Sequence, residues 1–281
     1  MKNILFICTG NTCRSPLAEG YLKSLKLKDV EVESRGLAAD NSPVSQNSLL
    51  VAKESNIDIS EHISKQFTFV DTFCDKIICM APSHLEMLKN AGIDENKLSV
   101  LGDGILDPFG MSLEHYRLCF TDIKREIDKL LFGGFFSDIT VNRADATDIS
   151  AIARLEKICF SDPWSENAIL ESMTAGTHFF VAKIKGETVG YIGISAIAGE
   201  GYITNVAVDP NFRRMGIASY LLNRVFSLAD QKALEFVSLE VRKSNTGAIT
   251  LYDKHLFVAE GRRKNFYDNP KEDAIIMTRR F

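Results

Sequence analysis

The sequence predicts an α/β protein of two domains, and three observations support this prediction. The chain has 281 residues, which is long for one domain and comfortable for two. Short apolar strands alternate with helices in the first half, which is typical of a doubly wound parallel sheet. Three strand-like runs follow one another in the second half, which indicates a mixed, mostly antiparallel α/β domain. We predict a first domain at 1–133, a linker at 134–138 and a second domain at 139–281.

Composition and charge narrow the class of protein. A hydrophobic share of 45% with 25% charged residues is ordinary for globular domains. The net charge of −4 argues against a nucleic-acid partner. No apolar run reaches about 18 residues, so we expect no membrane partner and a cytoplasmic location. The six cysteines form no zinc-type pairs and no disulfide framework, so we expect no metal.

The elements of the first domain follow from the spacing of apolar residues. The long helix at its end has apolar residues at intervals of three and four, from Leu113 to Leu131, which predicts packing on one face. Before it, strands and helices alternate along the chain, with strands at 4–8, 30–34, 76–80 and 98–101 and helices at 16–25, 45–55 and 83–91.

The loop after the first strand predicts a phosphate site. A cysteine and an arginine lie six positions apart, closed by a serine, between a strand and a helix. Backbone N–H groups and the positive end of the helix converge there, which favours a thiolate at Cys8. Arg14 offers two N–H groups to phosphate oxygens, and Ser15 offers Cys8 a hydrogen bond. The alternative is a structural cysteine near an unrelated arginine. The predicted phosphate-binding residues are Thr9, Gly10, Asn11, Thr12, Cys13, Arg14 and Ser15.

This motif, from Cys8 to Arg14-Ser15-Pro16, resembles the low-molecular-weight protein-tyrosine phosphatase family over about the first 130 residues. The resemblance implies that Cys8 is the nucleophile of a protein phosphatase, with Arg14 holding the phosphoryl group. Asp107-Pro108 alone is only a turn signal. Beside the Cys8 loop it matches the family's Asp-Pro, which implies that Asp107 is the general acid and base.

The residue at position 12 bears on the substrate. Family members that act on phosphotyrosine commonly carry a bulky aliphatic residue there, whereas this chain has Thr12 and continues Asp107-Pro108-Phe109-Gly110. The combination resembles the bacterial protein-arginine phosphatases and implies a phosphoarginine-bearing protein substrate. Two alternatives stay open: a tyrosine phosphatase, and a Thr12 that has no effect on selectivity.

A second series of elements begins after the linker. We expect a strand at 139–142, a helix capped by Asp145 and another that opens after Trp164. Strand-like runs at 178–184, 188–198 and 202–208 then precede a helix with Leu221, Leu222, Val225 and Phe226 on one side.

The start of that helix predicts a second anion site. Arg213-x-x-Gly216-x-Ala218 lets backbone N–H groups approach a pyrophosphate, although the pattern alone is weak. Together with the stretch from Glu240 to Tyr252, it resembles the GCN5-related N-acetyltransferases over about residues 139–281. Within that family it is similar to the bacterial ribosomal-protein-alanine acetyltransferases.

This resemblance implies acetyl-CoA as cosubstrate and the N-terminal peptide of a protein, such as a ribosomal-protein alanine, as acceptor. It implies Glu240 as general base and Tyr252 as general acid. The alternatives are acetylation of a small-molecule amine and a ligand-binding sensor. The implied cofactor-binding residues are Val206, Ala207, Val208, Arg213, Arg214, Met215, Gly216, Ile217, Ala218, Ser219 and Asn245.

One departure from the family concerns the end of the Tyr252 helix, where Leu-Gly-Phe is usual and this chain has His255-Leu256-Phe257. Glycine suits a helix end that needs the left-handed conformation. We therefore expect Leu256 to lower the free energy of unfolding by about 1 kcal/mol or to change the path of the chain after the helix. We expect His255 at the surface.

Overall fold

The chain forms two compact units, Met1–Leu130 and Leu131–Phe281, in a computed structural model that describes all 281 residues. The long helix ends at Phe132, so this division falls within its last turn. The sequence-based boundaries stay a prediction. None of the helices combines the length and apolar character that a bilayer crossing requires.

The first unit is built on a four-stranded sheet in the order β2-β1-β3-β4. Every pairing in this sheet is parallel, which confirms the predicted parallel α/β architecture. Its elements are β1 (Lys2–Cys8), α1 (Arg14–Ser24), β2 (Val30–Gly36), α2 (Gln46–Glu54), β3 (Lys76–Cys79), α3 (Pro82–Asn90), β4 (Leu98–Val100) and α4 (Leu113–Phe132).

Strand β1 lies inside the sheet because its side chains are apolar on both faces. Ile4, Leu5, Phe6 and Ile7 are each at most 3% exposed, as expected of a parallel strand covered on both sides. The strand pairs with β2 and with β3, and it ends at Cys8. The carboxyl end of such a strand is where ligands of open parallel sheets bind.

The second unit contains a seven-stranded sheet in the order β10-β11-β9-β8-β7-β6-β5. Only β8 and β9 pair in parallel, which confirms a mixed, mostly antiparallel sheet. The elements are β5 (Ile139–Arg143), α5 (Ile149–Cys159), α6 (Glu166–Thr174), β6 (His178–Ile184), β7 (Glu187–Ile197), β8 (Glu200–Val208), α7 (Ile217–Lys232), β9 (Phe236–Arg242), α8 (Thr246–Lys254), β10 (Val258–Asp268) and β11 (Lys271–Arg280).

Strands β8 and β9 separate soon after they begin. Their register covers Glu200–Tyr202 against Phe236–Ser238, whereas β8 stays paired with β7 as far as Val208. The second half of β8 therefore has a neighbour on one side only, and its other edge faces the opening between the two strands.

Strand β10 is absent from the sequence-based description. Ten of its eleven residues are exposed, so the alternation that reveals a half-buried strand is missing. It pairs with β11 alone and forms the edge of the sheet.

The chain leaves α8 in the left-handed conformation, although the residue there is not glycine. Leu256 has φ +65° and is 53% exposed. The expectation for His255 was wrong, since this residue is 4% exposed and its Nε2 lies 3.0 Å from Ser219 Oγ. The cause is its position three residues after Tyr252, which places both on the buried face of the helix.

We predict that Leu256→Gly stabilises the second unit by about 1 kcal/mol, because glycine tolerates the left-handed conformation that costs other residues about 1–2 kcal/mol. Trp164 is the sole tryptophan, so its fluorescence in urea follows this unit within the full chain. Leu256→Ala is the control that also loses the exposed side chain. A glycine variant no more stable than the alanine variant would contradict the strain argument.

Candidate active sites

The loop between β1 and α1 bends at Asn11, which is fully buried and has φ +54°. The left-handed conformation turns the Asn11 N–H toward Cys8, and it donates to the sulfur at 3.2 Å. Asparagine is among the few residues other than glycine that adopt this conformation readily. The bend thus supplies one backbone donor to the cysteine.

The side chain of Asn11 holds this bend in place. Its Nδ2 donates to Ser15 Oγ at 2.9 Å and to Ser34 Oγ at 2.8 Å, and its Oδ1 accepts from the Lys65 N–H at 2.9 Å. Its backbone oxygen lies 3.0 Å from His62 Nε2. Every polar group of this buried side chain is therefore satisfied, which fixes the loop.

Ser15 is directed to Cys8 by this network. Its Oγ accepts from Asn11, so its own proton is free to be donated to Cys8 Sγ, 3.0 Å away. Cys8 is 3% exposed. Two donors on one shielded sulfur stabilise a thiolate, which is the nucleophilic form of cysteine.

Arg14 and Asp107 form an ion pair at the same loop. Arg14 is 5% exposed, its Nη1 donates to the Ile105 carbonyl at 3.2 Å, and its Nη2 pairs with the Asp107 carboxylate. The Asp107 side chain is 46% exposed, on the loop after β4. Arg14 Nε is buried and has no hydrogen-bond partner. A buried guanidinium N–H without an acceptor fits an oxygen of a bound phosphoryl group.

The rest of the predicted loop is anchored to helix α4. Thr12 is half-buried, and its Oγ1 lies 3.6 Å from Cys13 Sγ. Cys13 is buried, with its sulfur 3.3 Å from the hydroxyl of Tyr116, whose pKa burial raises to about 12. Burial also raises the pKa values of Cys79 and Cys119 to about 12, so neither thiol is an effective nucleophile at neutral pH.

Gly36 supports the loop from β2. It lies opposite Cys8 in the sheet register. A Cβ added to it would lie 2.7 Å from the Thr9 carbonyl oxygen and 3.0 Å from the Asn11 nitrogen. Only glycine permits this close approach of two backbones.

The second candidate site begins at α7. Its N-cap is Gly216, which has φ +87°, and Arg214 in the preceding loop has φ +67°. The first N–H groups of a helix have no acceptors within it, so those of Ile217 and Ala218 are suited to an anion, and we call this turn the cradle. Arg213 Nε donates to the Val208 carbonyl at 3.1 Å and ties this cradle to the end of β8.

Glu240 lies on β9 and meets two residues of β10 that the sequence analysis missed. Arg263 Nη1 donates to its carboxylate at 2.5 Å, and the Tyr267 hydroxyl donates to its backbone oxygen at 3.3 Å. Both residues escaped notice because β10 was not recognised. The aromatic pair Phe266-Tyr267, shortly after Arg262 and Arg263, is the feature of the sequence that could have indicated a strand here.

Tyr252 is buried on α8, with 7% of its surface exposed. Burial, assisted by the nearby Tyr267, raises its pKa. It therefore holds its proton at neutral pH, as a general acid must. Asn245, predicted to bind the cofactor, caps this helix: its Oδ1 accepts from the Ala248 N–H at 3.2 Å, so the amide nitrogen is the part suited to a ligand.

A buried carboxylate outside the predicted set ties the second unit together. Glu156 is fully buried on α5 and accepts from the Trp164 N–H at 2.7 Å, from Asn205 Nδ2 at 2.8 Å and from the Tyr191 hydroxyl. It connects the loop before α6 to β7 and β8, close to Val206. Nothing in the spacing of an apolar helix face marks such a residue in advance.

Known proteins resemble the two halves of the chain separately. Residues 3–144 match the family model of the low molecular weight phosphotyrosine protein phosphatase, and residues 149–257 match that of the acetyltransferase (GNAT) family. The low molecular weight protein-tyrosine-phosphatase PtpB of Staphylococcus haemolyticus is 38% identical over 134 residues, 45% of this chain and 96% of that protein.

Two further relatives have more specific names. The protein-arginine-phosphatase of Geobacillus stearothermophilus is 34% identical over 137 residues, 45% of this chain and 92% of that protein. The [ribosomal protein bS18]-alanine N-acetyltransferase of Salmonella typhimurium is 30% identical over 142 residues, 49% of this chain and 95% of that protein.

We predict that Gly36→Ala lowers phosphatase turnover by about tenfold to a hundredfold, because the new Cβ displaces the backbone that places Cys8. Steady-state hydrolysis of p-nitrophenyl phosphate measures this. Gly247→Ala is the matched control, since a Cβ there meets open space. Wild-type turnover in Gly36→Ala would show that the contact does not constrain the loop.

Proposed function

Because the chain belongs to the low molecular weight phosphotyrosine protein phosphatase family over residues 3–144 and to the acetyltransferase (GNAT) family over residues 149–257, we propose that it is a bifunctional enzyme. The first unit hydrolyses a phosphorylated protein through a cysteine nucleophile. The second transfers an acetyl group from acetyl-CoA to the α-amino group of a protein N-terminus, such as a ribosomal-protein alanine. No metal takes part in either reaction.

The phosphatase reaction uses the loop in two steps. The Cys8 thiolate attacks phosphorus, and the phosphoryl group exchanges its leaving group for sulfur while Asp107 gives the leaving atom a proton. Asp107 then takes a proton from water as the water attacks the phosphocysteine, and Cys8 departs as a thiolate with the Ser15 hydrogen bond. Arg14 holds phosphoryl oxygens throughout, so Asp107 must leave its ion pair with Arg14 and take up a proton from solvent when substrate binds.

One observation carries this assignment. The shielded Cys8 sulfur accepts from the Asn11 N–H and faces the Ser15 hydroxyl, while Arg14, the residue before Ser15, holds a buried N–H without an acceptor. A structural cysteine needs neither a donor on its sulfur nor an unpaired arginine N–H beside it. A nucleophile that must stay ionised beside a bound phosphoryl group needs both of these.

Thr12 and the similarity to a protein-arginine-phosphatase support phosphoarginine as the substrate. A half-buried hydroxyl near Cys13 suits a polar guanidinium group and the water of the second step, whereas a bulky aliphatic side chain suits an aromatic ring. The tyrosine-phosphatase alternative rests on the similarity to PtpB. Turnover of matched phosphoarginine and phosphotyrosine peptides by the wild-type chain decides between them.

We predict that Thr12→Ile lowers the ratio of kcat/KM for phosphoarginine over phosphotyrosine peptide by about tenfold, because the added aliphatic surface favours a ring and removes the hydroxyl. Thr121→Ile makes the same change at an exposed position on α4 and serves as control. An unchanged ratio in Thr12→Ile would remove Thr12 as a determinant of selectivity.

The acetyltransferase assignment uses the opening between β8 and β9. The edge of β8 that faces the opening, at Val206, Ala207 and Val208, suits the amide groups of a pantetheine arm, which would add to the sheet as a further strand. The Val208 carbonyl at the end of this edge already accepts from Arg213. The cradle at Gly216 suits a pyrophosphate. The donor set therefore fits coenzyme A, whose acetyl thioester supplies the activated acyl group.

Two side chains of the second unit handle protons in this proposal. Glu240 removes the proton of the α-amino group, directly or through water. Tyr252, whose pKa burial raises, gives its proton to the departing thiolate. Both lie beside Tyr267, which bonds the backbone of Glu240 and contributes to the raised pKa of Tyr252.

We predict that Glu240→Gln and Tyr252→Phe each lower kcat for acetylation of an alanine-initiated peptide by about a hundredfold, while acetyl-CoA still binds. Acetyl transfer followed by mass spectrometry and cofactor binding by calorimetry measure the two effects. The fluorescence of Trp164 in urea reports whether the second unit of each variant is folded. A kcat equal to that of the wild-type chain in both variants would contradict the proton-transfer roles. A wild-type chain that binds acetyl-CoA but transfers no acetyl group would favour the ligand-binding sensor.

A further inference from the structure

His84 is a buried histidine beside the phosphate loop that the reaction described above does not use. It lies in the first turn of α3 and is 4% exposed. Its Nε2 lies 3.0 Å from Thr9 Oγ1, and its Nδ1 is buried without a hydrogen-bond partner. Thr9 directly follows the nucleophile Cys8. A buried ring nitrogen without a partner calls for an explanation.

The unpartnered Nδ1 determines which way the hydrogen bond runs. Burial and the nearby Arg14 charge lower the pKa of His84, so the ring is neutral and carries one proton. If that proton were on Nδ1, a buried donor would be unsatisfied, at a cost of about 1–3 kcal/mol. With the proton on Nε2, His84 donates to Thr9 and Nδ1 retains only a lone pair.

A Thr9 hydroxyl that accepts from His84 keeps its own proton for another acceptor. Thr9 is exposed, although its hydroxyl meets a buried ring. Its carbonyl is already engaged by the Ala38 N–H at 2.9 Å, so the backbone at this point is fixed. The charges that act on His84 are Arg14 and Asp107, the ion pair of the phosphatase site, so the ring lies close to that pair.

We propose that His84 is a positioning residue of the phosphatase site: by donating to Thr9 Oγ1, it directs the Thr9 hydroxyl proton toward an oxygen of the bound phosphoryl group. The proposal rests on the phosphatase function of this site. It adds a side-chain donor to the backbone N–H groups and the guanidinium, and it makes α3 part of the phosphate-binding apparatus.

A purely structural role for His84 differs in its consequences. If the ring only packs α3 against the loop, its loss disturbs the loop as a whole, and turnover falls together with stability. If it acts through the Thr9 hydroxyl, its loss removes one hydrogen bond to a charged ligand and leaves the nucleophile in place. A bond made equally in the bound substrate and in the transition state affects KM rather than kcat.

The test uses the full chain with His84→Ala, Thr9→Val, the double variant and His84→Gln. We expect His84→Ala and Thr9→Val each to raise KM for a phosphoarginine peptide, and the inhibition constant of inorganic phosphate, by about tenfold with kcat nearly unchanged. The double variant is expected to match either single variant, because both remove the same bond. His84→Gln offers an N–H at similar reach and is expected to recover most of the affinity.

His115→Ala is the matched control, since this exposed histidine also meets a hydroxyl, with Nδ1 2.8 Å from Ser112 Oγ. It is expected to leave KM unchanged. Three results would each overturn the proposal. The first is an unchanged KM in His84→Ala, and the second is a fall in kcat at constant KM in that variant. The third is a double variant whose KM rises by the product of the two single effects. If His84→Ala does not fold, Thr9→Val and His84→Gln decide through the same constants.

The outcome for the phosphatase function itself is separate. A wild-type chain that hydrolyses neither phosphopeptide contradicts that function, whereas calorimetric binding of inorganic phosphate still reports on the Thr9–His84 pair. A wild-type chain that is active, with all four variants equal to it, contradicts the inference alone.

Discussion

The first active site depends on one bend, the left-handed Asn11. Asparagine adopts this conformation more readily than other residues that have a side chain, and the surrounding contacts hold it there. Asn11 has those contacts from α1, β2 and the segment around His62. Because the same residue gives its N–H to Cys8 and its amide to Ser15, the backbone bend and the two donors on the sulfur form one cooperative arrangement.

The two sites solve a common problem differently. Each candidate anion site lies where a strand leads through a loop into a helix, at Cys8–Arg14 and at Val208–Ile217. The first loop is closed, with a fully bonded asparagine and a glycine of β2 behind it. The second is open: Gly216 supplies the bend, and the parting of β8 from β9 leaves backbone groups exposed along one edge. A small phosphoryl group suits the closed form, and a long cosubstrate suits the open one.

Sequence reasoning found what is local and missed what is distant. Most strands, most helices and both candidate anion loops are each encoded within about ten consecutive residues, and the family resemblances added Asp107, Glu240 and Tyr252. The partners that hold the phosphate loop lie far from it in the sequence: Ser34 is 23 positions from Asn11, and His84 is 75 positions from Thr9. No periodicity reveals such pairings. Strand β10 was missed because exposure erased its pattern, and His255 was misplaced because a polar residue was taken for a surface one.

In both sites, the carboxylate proposed for acid–base chemistry lies in an ion pair with arginine: Asp107 with Arg14, and Glu240 with Arg263. In the proposed reactions, an anionic phosphoryl group would compete with Asp107 for Arg14, and a cationic amino terminus would compete with Arg263 for Glu240. Substrate binding would thus exchange one ionic partner for another. The charged group of the substrate would replace a side chain of the same sign, so the net charge around the remaining partner would stay the same. A ligand without the required charge would have to break this ion pair without replacing it, so it would bind less favourably.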